Sequence, residues 1–165
     1  MYLRFILMYK LILITLLLCY QLSYSNEKGI VSKIIDGDTI YLKTNQKEIK
    51  VRLQFIDAPE LNQSFGKESK LFLESLILNR LVIVKGNKKD KYKRILGVIS
   101  LDEVDINLEM IKAGAAWHFK KYAEFDQTEY QYQIYDEYEQ QAKFRELGLW
   151  KENAIPPWLW RKNKK

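Results

Sequence analysis

The chain of 165 residues contains a single cysteine and a single histidine. Cys19 lies close to the N-terminus, so the remainder of the chain has no disulfide and no thiol nucleophile. His118 has neither a cysteine nor a second histidine with which to form a zinc site, and we interpret it as a partly exposed structural residue. Internal repeats, linkers and low-complexity runs are also lacking, which favours a single domain.

The N-terminal segment reads as a signal peptide covering residues 1–25. Arg4 and Lys10 form a basic start, Leu11–Leu18 is apolar apart from one threonine, and Ser23 and Ser25 supply the small residues that a signal peptidase reads. We expect cleavage after Ser25 and a secreted or periplasmic protein.

Two alternatives to this interpretation of the N-terminus stay open. Met8 could be the true start, because the residues that follow it form a complete signal by themselves. The segment could also remain as an uncleaved membrane anchor, although its apolar core is short for a full span.

Charge provides a weaker indication of the partner. The chain has 27 basic and 21 acidic residues, a formal net charge of +6, which favours a polyanionic partner without identifying one. We interpret the basic C-terminus, from Arg161 to Lys165, as a frayed and solvated tail.

Five short strands are predicted from runs and alternations of apolar residues. In the third, apolar residues from Ile49 to Phe55 alternate with polar ones, the period of a half-buried strand that ends before Pro59. The other four are Ile30–Ile35, Thr39–Leu42, Leu81–Val84 and Ile95–Ile99.

Three helices complete the prediction. They are Gly66–Asn79, a short helix capped by Asn107, and a helix from about Thr128 to Glu146. The following segment Ile155–Trp160 is expected to be extended and docked by its aromatic residues. A helix inserted after the third of five strands matches an α+β fold with a five-stranded OB-type β-barrel, although the order alone also fits other α+β folds.

Four segments can carry chemistry: Asp36–Thr39, Arg52–Glu60, Gln63–Glu68 and Asp90–Gly97. Taken singly, each has a simpler explanation. The first is a common tight turn, the second a strand end, and the last a solubilising basic loop. Taken together, they supply the groups needed for phosphodiester hydrolysis.

Each group has a chemical reason to be there. Asp38 and Asp57 are hard oxygen ligands suited to Ca²⁺ or a similar cation. Glu60 can hold or deprotonate a water molecule, whereas Arg52 and Arg94 are permanent cations that fit a phosphate gaining charge. The set has no histidine, serine or cysteine nucleophile, which indicates direct attack by water. We expect the side chains of Arg52, Glu60 and Arg94 to be largely exposed.

The patterns DGDT, R-x4-D-x-P-E and D-K-Y-x-R, in this order, resemble the staphylococcal nuclease family. Gly148–Trp150 and Ile155–Trp158 look like segments of its exported bacterial members, and the similarity covers about residues 30–161. The resemblance implies hydrolysis of DNA and RNA with little sequence preference, leaving 3′-phosphates. No protein partner is implied, and we expect a monomer.

The resemblance assigns site residues as well. It implies that Arg52, Glu60 and Arg94 are catalytic, that Asp38, Asp57 and the carbonyl of Ala58 hold Ca²⁺, and that Lys91, Tyr92 and Tyr122 bind a terminal phosphate or neighbouring nucleotide.

The chain departs from the founding member of the family at several positions. Ala58 replaces a threonine, Lys93 replaces a glycine, and Lys120 replaces a tyrosine that stacks on substrate. The loop from Leu61 to Phe65 is shorter. None of these changes removes a predicted catalytic group.

Two other functions remain to be distinguished from a nuclease. One is a catalytically silent OB module that only binds nucleic acid, which would be expected to have lost Arg52, Glu60 or Arg94. The other is a membrane-tethered surface protein whose basic face binds anionic lipid.

Overall fold

The computed structural model describes residues 26–152 and 154–163, so the predicted signal peptide lies outside the described residues. Within those two ranges, no helix is long and apolar enough to cross a membrane. The strands are β1 (Asn26–Asp36), β2 (Thr39–Lys43), β3 (Glu48–Leu53), β4 (Ile56–Asp57), β5 (Leu81–Lys85), β6 (Ile95–Leu101), β7 (Val104–Asp105) and β8 (Trp117–His118). The helices are α1 (Gly66–Ile77), α2 (Ile106–Lys112), α3 (Lys120–Asp126), α4 (Glu129–Phe144) and α5 (Pro157–Asn163), with a 3₁₀ turn at Gly148–Lys151.

Five strands form a closed barrel. Strand order is β3-β2-β1-β5-β6, and a parallel pairing of β3 with β6 joins the two ends. β1 pairs with β2 on one side and with β5 on the other, and irregularities between Val31 and Lys33 and between Ile34 and Asp36 interrupt its register with β2. Such irregularities bend a strand, as closure of a small barrel requires. The predicted five-stranded OB-type barrel and α+β class are confirmed.

The core fills the barrel and the space beneath α1. Leu42, Val51 and Leu53 are buried on the inward face of β2 and β3, in line with the predicted alternation. Leu73 and Ile77, four residues apart on α1, are also fully buried. The hydrophobic pattern of the sequence therefore places both the sheet and the first long helix.

The prediction of three helices is too low, because five α-helices occur among residues 26–152 and 154–163. The predicted long helix is α4, whose N-cap Thr128 forms a capping box with Gln131. α2 also exists, but its N-cap is Asp105, whose side chain accepts a hydrogen bond from the Leu108 N–H at 3.0 Å. The predicted Asn107 cap is therefore wrong.

Asn107 instead connects buried backbone groups. Its Oδ1 accepts from the Ile99 N–H at 3.1 Å, and its Nδ2 donates to the carbonyl oxygens of Gln54 at 2.9 Å and Gly97 at 3.2 Å. These contacts join the strand β6 to the turn that follows β3. A buried polar side chain is stable here because its donors and acceptor are satisfied.

The prediction of an extended C-terminal tail is wrong for residues 157–163, which form α5. Pro157 begins this helix, a position where a missing N–H costs nothing because the first turn has no intrahelical acceptor for it. The predicted aromatic docking does occur: the Trp158 ring stacks on Phe119 with centroids 5.4 Å apart and packs edge-on against Trp117 at 6.4 Å. Docking of α5 brings its last turn, which carries Arg161, close to Asp57 on β4.

Candidate active site

Strand register brings the predicted catalytic segments to one end of the barrel. Arg52 on β3 is opposite Thr39 on β2 and beside Leu96 on β6. Asp38 lies one residue before Thr39, and Arg94 lies two residues before Leu96, so both are close to Arg52 at the same end of the barrel. Asp57 on β4 pairs with Trp117 on β8, which fixes the second predicted ligand next to Arg52.

Arg52 lies between the two predicted metal ligands. Its Nη1 is ion-paired with Asp38, and its Nη2 donates to Asp57 Oδ1 at 2.8 Å and to the Ile56 carbonyl at 3.3 Å. The side chain is only 13% exposed, and that of Arg94 is 21% exposed, so the expectation that these two arginines are largely exposed is wrong. Burial opposes its charge, but the nearby aspartates together raise the pKa of Arg52 above its usual value.

Asp36, Asp38 and Asp57 form a carboxylate cluster beside Arg52. Burial and repulsion by Asp38 raise the pKa of Asp36 to about 7. Burial likewise raises the pKa of Asp57, against the opposing hydrogen bond from Arg161. Crowded, desolvated carboxylates of this kind favour a bound cation.

The residues present fit a cation held partly by water. In the described part of the chain, no group of three or more histidine, cysteine, aspartate or glutamate side chains is arranged to hold a metal ion. The Ala58 N–H donates to Asp38 Oδ2 at 3.0 Å, which places the Ala58 peptide beside the first predicted ligand. A cation here would therefore use Asp38, Asp57, the Ala58 carbonyl and water, an oxygen-only set.

Asp90 holds Arg94 from the far side of the cleft. Its Oδ2 accepts from Arg94 Nε and Nη2, both at 2.7 Å, while its Oδ1 accepts from the backbone N–H groups of Tyr92 at 2.9 Å and Arg94 at 3.0 Å. Arg94 Nη1 remains directed toward Thr39 Oγ1 at 3.4 Å. Asp90 precedes the arginine by four residues within the DKYxR motif, and it is the first residue of that motif that positions the last one.

Lys93 takes the left-handed conformation that its position requires. Its φ of 64° is one that glycine adopts freely and other residues adopt at a cost of roughly 1–2 kcal/mol. The Lys93 N–H donates to the Asp90 carbonyl at 2.9 Å. The replacement of glycine by lysine therefore preserves the turn and the placement of Arg94.

The segment Gln63–Glu68 positions Glu60. Gln63 Oε1 accepts from the Glu60 N–H at 3.2 Å, and the Gln63 N–H donates to the Glu60 carbonyl at 2.8 Å. Gly66 begins α1 directly against Glu60, where a Cβ would overlap the Glu60 carbonyl oxygen. Glu60 itself is 38% exposed, so its carboxylate lies at the cleft surface.

Gly66→Ala should lower the rate of cleavage although it changes no predicted catalytic group. The added methyl must push the Glu60 backbone away, and a displacement of about 1 Å can lower the rate roughly tenfold to a hundredfold. Single-turnover cleavage of a DNA oligonucleotide measures the effect.

Gly29→Ala is the matched control, because a Cβ at Gly29 meets the Lys43 backbone instead of the site. Both variants should lose thermal stability, and only Gly66→Ala should lose activity in its folded form. Equal activity losses at matched folded fraction would show that Gly66 does not position Glu60.

Arg161 is a site residue that sequence reasoning missed. Its Nη2 donates to Asp57 Oδ2 at 2.7 Å, and its Nη1 donates to Glu60 Oε1 at 2.9 Å and to Asp57 Oδ1 at 3.3 Å. Burial opposes the charge, but these carboxylates raise the pKa of Arg161 above its usual value. The interpretation of Arg161 as part of a solvated tail is wrong, and no local sequence signal could have indicated a contact made across about a hundred residues.

Two adjoining clefts surround these groups. The first, of about 370 Å³, is lined by the carboxylate cluster together with Arg52, Glu60, Arg94 and Arg161. The second, of about 430 Å³, is lined partly by Lys91, Tyr92, Phe119 and Tyr122, and it shares Arg52, Lys91, Tyr92 and Arg94 with the first. All three predicted substrate-binding residues therefore line the second cleft, and both tyrosines are exposed.

Lys120 and His118 do not join the clefts just described. Lys120 is ion-paired with Asp136 on α4, and its Nζ lies 3.9 Å from a carboxylate oxygen of Glu139, so its charge is directed at α4. His118 is buried, contrary to the partly exposed position expected, and its Nε2 lies 2.9 Å from Gln127 Oε1. Burial lowers the pKa of His118.

The closed barrel has the OB-type fold, and similarity to known proteins identifies the family. The family described as "Staphylococcal nuclease homologue" matches residues 50–152. An uncharacterized endonuclease of Haemophilus influenzae is 40% identical over 162 residues, covering 94% of this chain and 87% of that protein. A micrococcal nuclease of Shigella flexneri is 36% identical over 153 residues, covering 87% of this chain and 85% of that protein. An uncharacterized endonuclease of Escherichia coli is 36% identical over 138 residues, covering 82% of this chain and 86% of that protein.

The chain belongs to the staphylococcal nuclease family. It is therefore a nuclease, a hydrolase whose substrate is nucleic acid. The family is generally metal-dependent.

Proposed function

We propose that this protein is a Ca²⁺-dependent endonuclease that hydrolyses DNA and RNA with little sequence preference and leaves 3′-phosphate ends. The observation that carries the proposal is the single cleft in which Arg52, Arg94 and Glu60 surround a buried carboxylate cluster. Cations, a candidate base and cation ligands are the groups needed for attack of water on a phosphodiester.

Asp38, Asp57 and the carbonyl of Ala58 would hold the Ca²⁺. The bound cation would supply positive charge to the phosphate oxygens and orient the substrate. Thr39 Oγ1 donates to Asp38 Oδ1 at 2.9 Å, a contact that orients this carboxylate and keeps its orientation independent of the cation.

Arg94 and Arg52 would each bring a guanidinium group to the phosphate. Arg94 is held on one edge by Asp90, which leaves Nη1 available for a phosphate oxygen. Arg52 is held by the aspartates and brings a second guanidinium to the same cleft. Glu60 orients the attacking water or takes its proton, and the shared cleft keeps that water close to both cations.

The second cleft would bind the neighbouring nucleotide. Lys91 Nζ lies 5.0 Å from the Tyr92 ring centroid, which combines a cation with an exposed aromatic face. Tyr122 adds a second exposed ring and packs edge-on against Phe119 at 4.8 Å. Stacking on such rings tolerates any base, in accord with little sequence preference.

Chelation of Ca²⁺ should abolish most of the activity. Without the cation, the carboxylate cluster would repel a phosphate, and we expect the cleavage rate to fall at least roughly tenfold. Mg²⁺ should support less turnover, because it demands tighter octahedral geometry than two carboxylates and a carbonyl supply. The measurement is cleavage of DNA and of RNA with Ca²⁺, with Mg²⁺ and with chelator, and end-labelling identifies the phosphate position.

This experiment also separates the proposal from its alternatives. A silent nucleic-acid-binding module would bind both polymers and cut neither under any condition. A surface protein specific for lipid would bind anionic vesicles in preference to nucleic acid. Equal cleavage rates in Ca²⁺ and in chelator would contradict the proposed cation dependence.

We propose further that the protein is exported, with a mature N-terminus at about Asn26. The basic start, apolar run and small residues before that position support cleavage after Ser25. N-terminal sequencing of protein recovered from the medium or periplasm should begin at this residue. Protein that retains Met1 or Met8 would favour the membrane anchor.

A further inference from the structure

Arg161 occupies the carboxylates that the proposed cation needs. Both oxygens of Asp57 accept hydrogen bonds from its guanidinium, at 3.3 and 2.7 Å, and Asp57 Oδ1 also accepts from Arg52. The Asp57 side chain is 1% exposed, so water has little access to it. A cation that binds Asp57 must therefore share or displace a guanidinium.

Of the two guanidinium groups, that of Arg161 is the one able to move. Arg52 extends from a central barrel strand, is 13% exposed and contacts the Ile56 backbone as well as two aspartates. Arg161 is 44% exposed and extends from the last turn of the seven-residue helix α5. Rotation of its long side chain would release Asp57 at a cost in contacts to two carboxylates.

Release of Arg161 does not require α5 to detach from the barrel. Trp158 holds the start of the helix by stacking on Phe119, and Gln63 Nε2 donates to the Ile155 carbonyl just before it. These contacts involve neither Asp57 nor Glu60. The helix is therefore an anchored support from which a single cationic side chain reaches the site.

We propose that Arg161 is an internal counter-cation that competes with Ca²⁺ for Asp57 and so lowers the affinity of the site for the metal. This inference rests on the proposed function, because it assumes that Asp57 is a Ca²⁺ ligand. Arg161 is thus a positioning residue: it neutralises Asp57 and Glu60 until the divalent cation takes over Asp57. Linkage then requires that Ca²⁺ weaken the contact of Arg161 by the same factor by which Arg161 weakens Ca²⁺ binding.

Thermal unfolding across a Ca²⁺ titration tests the competition. Removal of Arg161 leaves the carboxylates uncompensated, so Arg161→Gln should melt below the parent protein in chelator. Because the cation no longer has a competitor, Ca²⁺ should raise the Tm of the variant more than that of the parent. The apparent Kd for Ca²⁺ derived from the titration should be roughly tenfold lower in Arg161→Gln.

Lys162→Gln is the matched control. It removes the same charge from the neighbouring position of α5, where the side chain is exposed. A general electrostatic effect on Ca²⁺ would appear in both variants, whereas competition for Asp57 appears only at position 161. Arg161→Lys keeps the charge without the two-pronged contact and should give an intermediate Kd, which also guards against misfolding of the glutamine variant.

The outcomes distinguish this inference from the proposed function. An unchanged or weaker Ca²⁺ affinity in Arg161→Gln, with a parent that binds Ca²⁺ and cleaves DNA, would overturn the competition alone. A similar gain in Arg161→Gln and Lys162→Gln would also overturn it. A parent whose Tm does not respond to Ca²⁺ and whose cleavage persists in chelator would overturn the proposed cation dependence and the inference together.

Discussion

Replacement of Arg94 by lysine should lower the rate of phosphodiester cleavage roughly a hundredfold to a thousandfold. The guanidinium of Arg94 makes two contacts with Asp90 and a third, at 3.4 Å, with Thr39 Oγ1, and these contacts hold it in the lining of the cleft. A phosphate gains charge in the transition state, so a group held in place for its oxygens stabilises that state more than the bound substrate. Lysine retains the charge but cannot hold Asp90 and reach the phosphate with the same planar fork.

Single-turnover cleavage of a DNA oligonucleotide measures the chemical step, and circular dichroism reports whether the variant folds. Arg80→Lys is the matched control, since Arg80 is exposed and lines neither of the two clefts. The control should cleave at the parent rate. A folded Arg94→Lys protein that also does so would remove Arg94 from the proposed catalytic group.

Arg52 offers a less direct test of the same idea. Its guanidinium neutralises Asp38 and Asp57 in a nearly buried setting, so its loss also leaves carboxylates unpaired. A fall in activity of Arg52→Lys would therefore combine weaker stabilisation of the phosphate with a disturbed cation site. Arg94 is paired with Asp90 and not with a predicted cation ligand. Its replacement therefore tests stabilisation of the phosphate without disturbing the cation site.

The barrel could be predicted because its signals are local. Alternation from Ile49 to Phe55 indicates one buried face, and the turn at Asp36–Asp38 separates two antiparallel strands. Once those strands pair, register alone brings Thr39 opposite Arg52. The convergence of Asp38 and Arg52 thus follows from strand geometry that short-range patterns encode, whereas the position of Asp57 depends on the pairing of β4 with β8.

Contacts between distant parts of the chain could not be predicted in this way. Arg161 meets Asp57 and Glu60 only because α5 docks on Phe119 and Trp117. The aromatic residues before Arg161 predict that this segment docks, but nothing in the sequence indicates which carboxylates Arg161 then reaches. Asn107 was a similar case, because an asparagine near a helix start is equally compatible with a cap and with a buried link between strands.

Weak local signals also explain the missed helices. α3 begins after Phe119, which provides no side-chain cap, so the sequence lacks a start signal for it. α5 begins at the second of two consecutive prolines, a pair that favours extended chain. Proline at the first helical position is nevertheless compatible with a helix, and tertiary docking decided between the two conformations.

Glu60→Gln should also cut very slowly, with a rate roughly a hundredfold or more below that of the parent protein. Glutamine preserves the size and the hydrogen-bonding reach of the side chain, but an amide cannot accept a proton from the attacking water. The variant should still fold, because Glu60 is 38% exposed and Arg161 keeps its stronger contact with Asp57. Loss of the rate would therefore report on chemistry and not on architecture.

The pH dependence of the chemical step shows how Glu60 acts. Asp36, whose pKa is raised to about 7 in the same cleft, should give both proteins a rise in rate with pH. The test of general-base catalysis is a further rise in the parent protein that Glu60→Gln loses together with the rate. Glu68→Gln, which makes the same change at an exposed position of α1, should keep both the parent rate and the parent pH profile. A Glu60→Gln protein that retains this further rise at a lowered rate would indicate that Glu60 orients the water, and one that cuts at the parent rate would exclude Glu60 from the reaction.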